Sequence, residues 1–505
     1  MMIDQLEPQR SCIAVLIARL ITAAFLIVPI TPTAEAQSTL PRFERSDCPV
    51  NGDWARDVQR ECGWLVVPES RDHASANTVR LAVEVFRARE STGAPPLVLL
   101  HGGPGGPGGI RTYSEGVARS PYPQHRDVVI YDQRGAGFSE PRLCPAYDRT
   151  ADSVYAIRES SATIAAMRDA RHACIAELDA KSIDRLAYNT AASATDLVDL
   201  RRALGYKSWD IRGPSYGARL AQEAMLRDGP AIRAVVLASP VGRSFPVRAE
   251  QPLSTQRAFE RVFAACATQP ACRDTFPHLE QDFYAAYDEL TAAPVAIPVT
   301  RRSGQTDTVW LDGMRLVDRL RDITGERARM ARIPLLVHEL RSGNRMQAAR
   351  EIVGDGSAPR LLTGRVVRQL INCYDSYGPA FRTTLDSVNA LARPPFRRVL
   401  DWDCEDWLPR FADPSTRTLV RSDIPTLIMT GYFDDRTPTA YARRIAATLG
   451  RAYLVEMPDE AHDARPSSCH AAIVTHFLAD PTRKPDTSCL ASIPPIPFAT
   501  TWTRE

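Results

Sequence analysis

The chain has 505 residues, of which 44% are hydrophobic and 24% are charged, and its formal net charge is +2. This length predicts either two compact units or one domain that carries a large insertion. The balanced charge argues against a nucleic-acid-binding protein, because positive residues are neither in excess nor clustered in runs.

The first residues have the pattern of a secretory signal peptide. Arg10 and Arg19 precede the apolar run "LITAAFLIVPI", and the small residues Ala34 and Ala36 form a cleavage site. We therefore predict a signal peptide over residues 1–36, with an uncleaved anchor as the alternative. The run is short for a membrane span, and no later segment is long and apolar enough to cross a bilayer. We expect an exported protein, periplasmic or extracellular, with no stable membrane insertion after cleavage.

Cysteine usage also indicates an oxidising compartment. Ten of the 11 cysteines follow the predicted signal peptide, an even number that fits complete pairing. No C-x-x-C pair occurs and the histidines are not interleaved with the cysteines, so no metal site is expected. Their order favours pairing of neighbours, although spacing alone leaves the connectivity open. The neighbouring pairs are Cys48–Cys62, Cys144–Cys174, Cys266–Cys272, Cys373–Cys404 and Cys469–Cys489.

Residues 37–243 alternate between short apolar runs and helical patterns. A strand is predicted where apolar residues alternate or where a short run is apolar throughout. A helix is predicted where Leu197, Leu200 and Leu204 share one face. This alternation is typical of a mostly parallel α/β sheet. The predicted strands are 79–88, 95–100, 127–139 (which runs into a loop), 208–211 and 232–242, and the predicted helices are 193–206 and 219–229.

The pattern changes after residue 243. Residues 244–422 contain helical segments such as "STQRAFERVFAACA" and few buried-strand runs, so we predict an inserted, mainly helical lid. The α/β rhythm returns in residues 423–505, with strands at 424–435 and 452–462 and a helix between them. The sequence therefore predicts a core in two parts, 37–243 and 423–505, interrupted by the lid.

The stretch "DIRGPSYGARL" contains a serine in a G-x-S-x-G pattern, Gly213-x-Ser215-x-Gly217. The bare pattern is weak, because Gly and Ser are ordinary residues of turns. Here it lies between a predicted strand and a predicted helix, the context of a nucleophile elbow. A serine hydroxyl is a weak nucleophile at neutral pH and needs an adjacent base, so the assignment of Ser215 depends on its partners.

Two later strands are followed by residues that suit those partners. Asp434, with Asp435 beside it, follows the strand at 424–435, and His462 follows the strand at 452–462. Each has a simpler interpretation, Asp434 as a helix cap and His462 as a surface loop residue. His470 and His476 lie in a predicted helix and are poorer candidates for the base. The order Ser, Asp, His, each just after a strand, favours a catalytic triad of Ser215, Asp434 and His462.

The glycine-rich run "HGGPGGPGG" at residues 101–109 follows a predicted strand and can turn backbone N–H groups toward a developing oxyanion. A phosphate loop would need the lysine of G-x-x-x-x-G-K-[ST], which is missing, and prolines interrupt any dinucleotide-binding fingerprint. We predict an oxyanion hole formed by the N–H groups of Gly103 and Tyr216, and no cofactor.

Together, "HGGPGG", "YDQRGAGFS", "G-x-SYG", "TGYFDDRTP" and "EAH" resemble the secreted proline iminopeptidase and tripeptidyl aminopeptidase group of α/β-hydrolases. The resemblance spans nearly the whole chain after the signal peptide. It implies an α/β-hydrolase fold and a serine hydrolase that releases residues or short peptides from peptide N-termini, with a preference for proline or small apolar side chains. By the same motifs it supports Ser215, Asp434 and His462 as the triad, and Gly103 and Tyr216 as the oxyanion hole.

The sequence departs from this group in the lid. Relatives often carry an acidic "C-x-E-D" stretch, where this chain reads "CYDS" with Asp375 in place of Glu. We expect Asp375 to contribute to binding the substrate's ammonium group. A carboxylesterase on short acyl or aryl esters is the alternative activity, and a catalytically silent binding protein is the alternative class. Epoxide hydrolases and dehalogenases are disfavoured because they use Asp where Ser215 stands. A peptide substrate is the only partner implied.

Overall fold

The computed structural model describes residues 40–502, apart from residues 57, 73–75, 156–160, 301–305, 325–326, 355–363, 399–402, 414–416 and 463–466. The predicted signal peptide, residues 1–36, lies outside the described residues. Within the described ranges, every helix is too short or too polar to cross a bilayer.

The described residues form one large mixed sheet and a separate hairpin. The large sheet has the strand order β1-β2-β3-β5-β4-β6-β7-β10-β11, and β8 pairs with β9. Three pairs are antiparallel: β1 with β2, β2 with β3, and β3 with β5. The other five pairs, which run from β5 through β4, β6, β7 and β10 to β11, are parallel. The strands are β1 Arg42–Ser46, β2 Arg60–Pro68, β3 Thr78–Phe86, β4 Leu97–Leu99, β5 Val128–Tyr131, β6 Trp209–Pro214, β7 Ile232–Ala238, β8 Val295–Thr300, β9 Thr306–Leu311, β10 Thr426–Gly431 and β11 Ala452–Met457.

Helices connect the strands and fill the inserted segment. The helices are α1 Gly109–Arg119, α2 Pro145–Tyr155, α3 Ser161–Ala180, α4 Thr190–Ala203, α5 Tyr216–Asp228, α6 Val247–Thr268, α7 Pro270–Thr275, α8 Leu279–Ala292, α9 Gly313–Thr324, α10 Arg327–Met330, α11 Ile333–Arg341, α12 Arg345–Val353, α13 Arg365–Ser376, α14 Pro379–Leu391, α15 Cys404–Trp407, α16 Thr439–Ala446 and α17 Ser468–Ala479. The predicted mostly parallel sheet flanked by helices is therefore confirmed.

The sheet is buried on both faces, as its continuous apolar strands predict. Successive side chains of a strand point to opposite faces. On β7, Val235 and Leu237 pack in one core cluster with Leu197 of α4, whereas Ala234 packs in a second cluster with Ile473 of α17. The strand ends that carry the candidate site residues are therefore held between two helical layers.

The segment 244–422 contains helices α6 to α15 and the β8–β9 hairpin, which the sequence analysis did not predict. Its core is aromatic: the rings of Phe259, Phe263, Phe283 and Phe396 have centroids 5.2–6.2 Å apart. The same cluster includes Phe433 and Ala461, which directly precede Asp434 and His462. The core of the inserted segment therefore extends to the two loops that carry the candidate acid and base.

Five disulfides are present among the described residues, and they are the five neighbouring pairs predicted from the sequence. They are Cys48–Cys62, Cys144–Cys174, Cys266–Cys272, Cys373–Cys404 and Cys469–Cys489. Each closes a loop of 6 to 31 residues, short enough that each bridge constrains local structure rather than joining distant parts of the chain.

Candidate active site

Ser215 lies on a sharp turn between β6 and α5. It has φ 54° and ψ −120°, a backbone conformation that residues with a Cβ rarely adopt. Its N–H donates to the carbonyl of Ala238 at the end of β7, at 2.8 Å. The turn is therefore fixed to the neighbouring strand, and this is the strand–turn–helix context that raises a serine hydroxyl above a sheet.

The glycine at position 213 is needed because the backbone before Ser215 passes close to the backbone after it. A Cβ added to Gly213 would lie 2.3 Å from the carbonyl oxygen of Gly217. A backbone atom cannot move aside as the end of a side chain can, so only glycine fits at Gly213. The G-x-S-x-G pattern thus has a local steric cause in this chain.

His462 links Ser215 to Asp434. The Ser215 Oγ lies 2.9 Å from His462 Nε2, and His462 Nδ1 lies 3.1 Å from each carboxylate oxygen of Asp434. The side chains of His462 and Asp434 are 4% and 0% exposed, so water does not compete for these bonds. Ser215 follows β6, Asp434 follows β10 and His462 follows β11, so all three lie at the carboxyl ends of parallel strands, with β7 between β6 and β10. This arrangement can take a proton from the serine hydroxyl and stabilise the resulting imidazolium.

Asp434 is held ionised by its neighbours. Burial alone would raise its pKa, but the charge and hydrogen bond of His462 and the hydrogen bonds from Thr437 lower the pKa below its usual value. Its Oδ1 accepts the N–H groups of Arg436 and Thr437, and its Oδ2 accepts the Thr437 hydroxyl. A buried carboxylate with this many donors stays negative opposite an imidazole.

The other two histidines considered for the base lie elsewhere. His470 is buried on α17, and its Nδ1 lies 2.9 Å from the carboxylate of Glu460. Glu460 also accepts the N–H and hydroxyl of Ser467. His476 is exposed near the end of the same helix. Only His462, of these three, contacts Ser215, and the Glu460–His470 pair instead ties the loop before His462 to α17.

The inserted segment contacts the acid and base loops through arginines. Arg321 of α9 lies 2.8 Å from Asp435, the buried neighbour of Asp434, and Arg327 of α10 lies 2.9 Å from Asp459. Burial raises the pKa of Asp435, while the nearby charge of Arg321 lowers it. Asp435 therefore faces the inserted segment, whereas Asp434 faces His462.

The glycine-rich loop after β4 passes beside the nucleophile. A Cβ added to Gly102 would lie 3.2 Å from the Cβ of Ser215, so this backbone approaches the serine closely. Gly103 is the next residue, with φ +125°. Tyr216 is the first residue of α5, so its N–H has no acceptor within the helix. The two predicted oxyanion donors thus belong to the two backbone segments that flank the Ser215 side chain.

Two side chains, Asp132 and Arg368, hold the glycine-rich loop and its surroundings in place. The buried carboxylate of Asp132 accepts the N–H of Ile110 at 3.0 Å and that of Phe138 at 2.8 Å. Burial raises the pKa of Asp132 to about 7, against the lowering effect of these donors. On the other side, Arg368 of α13 donates to the carbonyl of Pro104 at 3.0 Å. The loop is therefore held by the sheet below it and by the inserted segment above it.

Asp375 lies at the other end of α13, where it accepts a hydrogen bond from the hydroxyl of Thr190. The same hydroxyl is 3.0 Å from the Tyr216 hydroxyl, so two hydrogen bonds connect Asp375 to the residue after Ser215. Burial raises the pKa of Asp375, and the nearby guanidinium of Arg219 lowers it. Arg219 also donates to Ser376 at 2.9 Å. The charge of Arg417 also acts on Asp375, so Asp375 already faces two guanidinium groups, which the sequence did not reveal.

Only one group of side chains among the described residues is clustered closely enough to share a metal ion, namely Cys48, Cys62 and Glu84. The two cysteines are joined in a disulfide, so neither offers a thiolate. Glu84 instead accepts a hydrogen bond from Arg60 at 2.6 Å.

A largely parallel sheet that presents serine, acid and histidine in this chain order at its strand ends is the arrangement of the α/β-hydrolases. The chain belongs to this family: the family model described as the alpha/beta hydrolase fold matches residues 95–465. The family supports an enzyme of the hydrolase class. A search of curated proteins returned no match.

Solved structures to which the chain is similar include several hydrolases. A proline iminopeptidase from Mycobacterium smegmatis is 15% identical, with a TM-score of 0.38 over 83% of this chain and 98% of that chain. A proline iminopeptidase-related protein from Thermus thermophilus is 19% identical, with a TM-score of 0.33 over 80% and 91%. An esterase from Thermogutta terrifontis is 16% identical, with a TM-score of 0.30 over 77% and 88%. At these identities and TM-scores, no property of these proteins is transferred to this chain.

Proposed function

We propose that the protein is an exported serine hydrolase that releases residues or short peptides from peptide N-termini through an acyl-enzyme. The serine hydrolase part of this proposal is carried by the hydrogen bonds that join Ser215 Oγ to His462 Nε2 and His462 Nδ1 to Asp434. No metal or organic cofactor takes part in the proposed reaction.

In the proposed acylation step, Ser215 Oγ attacks the carbonyl carbon of the scissile bond while His462 Nε2 takes the hydroxyl proton. The N–H groups of Gly103 and Tyr216 stabilise the oxyanion that forms. The bond to the leaving amine then breaks, and His462 gives the amine its proton. Water then attacks the acyl-enzyme ester while His462 Nε2 takes one of its protons. The bond between the acyl carbon and Ser215 Oγ breaks, and His462 returns the proton to Oγ, which releases the acyl product and restores the serine.

An aminopeptidase must also recognise a free ammonium group, and a desolvated ammonium group needs a carboxylate partner. We propose Asp375 for this role, because two hydrogen bonds connect it to Tyr216, the residue after the nucleophile. The specific observation that favours an esterase instead is Arg219, whose charge already acts on Asp375. The two possibilities differ in whether Asp375 serves the substrate or only balances Arg219.

Export is proposed from two features. Residues 1–36 have the composition of a signal peptide, and the five disulfides fit an oxidising compartment. We therefore place the protein in the periplasm or the medium.

The test compares p-nitroanilides of free proline and alanine with the same amides blocked at nitrogen, and with p-nitrophenyl acetate. An aminopeptidase prefers the free amines, whereas equal rates on free and blocked amides would favour the esterase. Asp375→Asn should then raise KM at least tenfold for the free amines and leave ester turnover nearly unchanged. Asp386→Asn, an exposed lid acid on α14, is the matched control and should leave both activities unchanged. If Asp375→Asn lowers ester and amine turnover equally, Asp375 only balances Arg219.

A further inference from the structure

Thr437 contacts both the candidate acid and the candidate base. It is 1% exposed, three residues after Asp434. Its hydroxyl oxygen lies 2.7 Å from Asp434 Oδ2, 2.9 Å from His462 Nδ1 and 2.9 Å from the carbonyl oxygen of Ser239. Its backbone N–H also donates to Asp434 Oδ1 at 2.7 Å. One side chain therefore connects the acid, the imidazole and the strand end after β7.

The hydrogens of this group can be assigned by counting donors. A threonine hydroxyl has one proton and two lone pairs. The Ser239 carbonyl and the ionised Asp434 carboxylate can only accept, so the hydroxyl proton goes to one of them. His462 Nδ1 must then carry a proton and donate it toward the threonine oxygen and the carboxylate. This tautomer leaves the lone pair of Nε2 facing Ser215, as the proposed general base requires.

We propose that Thr437 is a positioning residue for His462, which holds the imidazole in the reactive tautomer and orientation by sharing its Nδ1–H with Asp434. The inference rests on the proposed serine hydrolase activity and adds a residue to its machinery. Both carboxylate oxygens of Asp434 are 3.1 Å from Nδ1, so the carboxylate alone does not favour one ring position. The shorter contact of 2.9 Å to the Thr437 hydroxyl oxygen defines the position.

A substitution can separate the hydroxyl from the rest of the residue. Thr437→Val keeps the shape of the side chain and the backbone N–H bond to Asp434, and removes only the hydroxyl contacts. Thr437→Ser keeps the hydroxyl and removes the methyl group. Thr439→Val is a matched control, because Thr439 is also buried and its hydroxyl has no hydrogen-bond partner among the described residues.

The experiment measures kcat, KM and the unfolding temperature of these variants on a p-nitrophenyl ester, beside wild type and Ser215→Ala. Loss of one hydrogen bond to a group that becomes charged predicts a decrease of kcat of about 10- to 100-fold for Thr437→Val. KM should stay within about twofold. Thr437→Ser should lie within about threefold of wild type, and Thr439→Val should match wild type.

A spectroscopic readout separates positioning from a general loss of structure. The Nδ1 proton of His462 should give a downfield proton NMR signal, assigned by its loss in His462→Ala. The signal should move in Thr437→Val and return toward its wild-type position in Thr437→Ser. Wild-type kcat in Thr437→Val, an unmoved signal, or an equal loss in Thr439→Val would each overturn the inference. Full activity in Ser215→Ala would instead overturn the proposed function.

Discussion

Replacement of Asp434 by Asn should inactivate the protein by changing the tautomer of His462. Oδ1 accepts two backbone N–H groups, those of Arg436 and Thr437, so the amide oxygen of Asn should occupy that position. The amide nitrogen then takes the position of Oδ2, 3.1 Å from His462 Nδ1. Its N–H favours a lone pair on Nδ1 and moves the ring proton to Nε2. In that state, Nε2 donates to Ser215 and cannot take its proton.

The size of this effect follows from the role of the acid. A triad Asp-to-Asn change that leaves the geometry intact lowers kcat about 10⁴-fold, which corresponds to about 5 kcal/mol at 1.36 kcal/mol per tenfold change in rate. The assay is kcat on a p-nitrophenyl ester, with thermal unfolding as a check that the variant is folded.

Asp435→Asn is the matched control for this prediction. Its carboxylate is directed at Arg321 rather than at His462, so kcat should stay within a few fold. The unfolding temperature should fall, because the partly buried guanidinium loses its partner. A decrease of less than tenfold in Asp434→Asn, or a larger loss in Asp435→Asn, would refute the assignment of the acid.

Three further predictions concern the nucleophile, its turn and the loop beside it. Ser215→Ala and His462→Ala should each lower kcat by about three or more orders of magnitude, and the double variant should lose no more than either one, because the two act as a unit; additive losses would contradict this. Gly213→Ala should destabilise the fold by about 1–3 kcal/mol in denaturant unfolding, because its Cβ would meet a backbone oxygen at 2.3 Å; wild-type stability would contradict the close approach. The pKa of Asp132 is raised to about 7 in the folded state from about 3.9 in the unfolded chain, so the folded state binds an extra proton between these values and stability should fall as pH rises from about 4 to about 7. Asp132→Asn should lack this part of the pH dependence of the unfolding temperature, and an unchanged slope would refute the shift.

The sequence predicted the parallel part of the sheet because most of its strands are short apolar runs, which are typical of strands buried on both faces. β1, β2 and the β8–β9 hairpin were not predicted, and β2, "RECGWLVVP", begins with charged residues. β1, "RFERS", is a polar edge strand without an apolar alternation. The β8–β9 hairpin buries only alternate residues such as Ile297 and Val299, and these strands lie within a helical segment that dominates the local pattern.

Ser215, Asp434 and His462 could be predicted as a triad for two reasons. The carboxyl ends of parallel strands lie at one edge of a sheet, and the chain order Ser, Asp, His is that of the α/β-hydrolases. Arg219 was not predicted to face Asp375, because that contact joins a core helix to the inserted segment across a long stretch of chain. Thr437 and Asp132 lie within the sequence motifs "TGYFDDRTP" and "YDQRGAGFS", but a motif does not show which atoms a side chain contacts in the folded chain. Those contacts depend on tertiary packing.

Covalent labelling with a fluorophosphonate tests the proposed serine hydrolase most directly, because this reagent reacts with an activated serine hydroxyl. The protein should gain one adduct per molecule, peptide mapping should place it on Ser215, and ester hydrolysis should fall in proportion to labelling. Ser215→Ala and Asp434→Asn should label far more slowly. An adduct on another residue, or full activity in the fully labelled protein, would contradict the account.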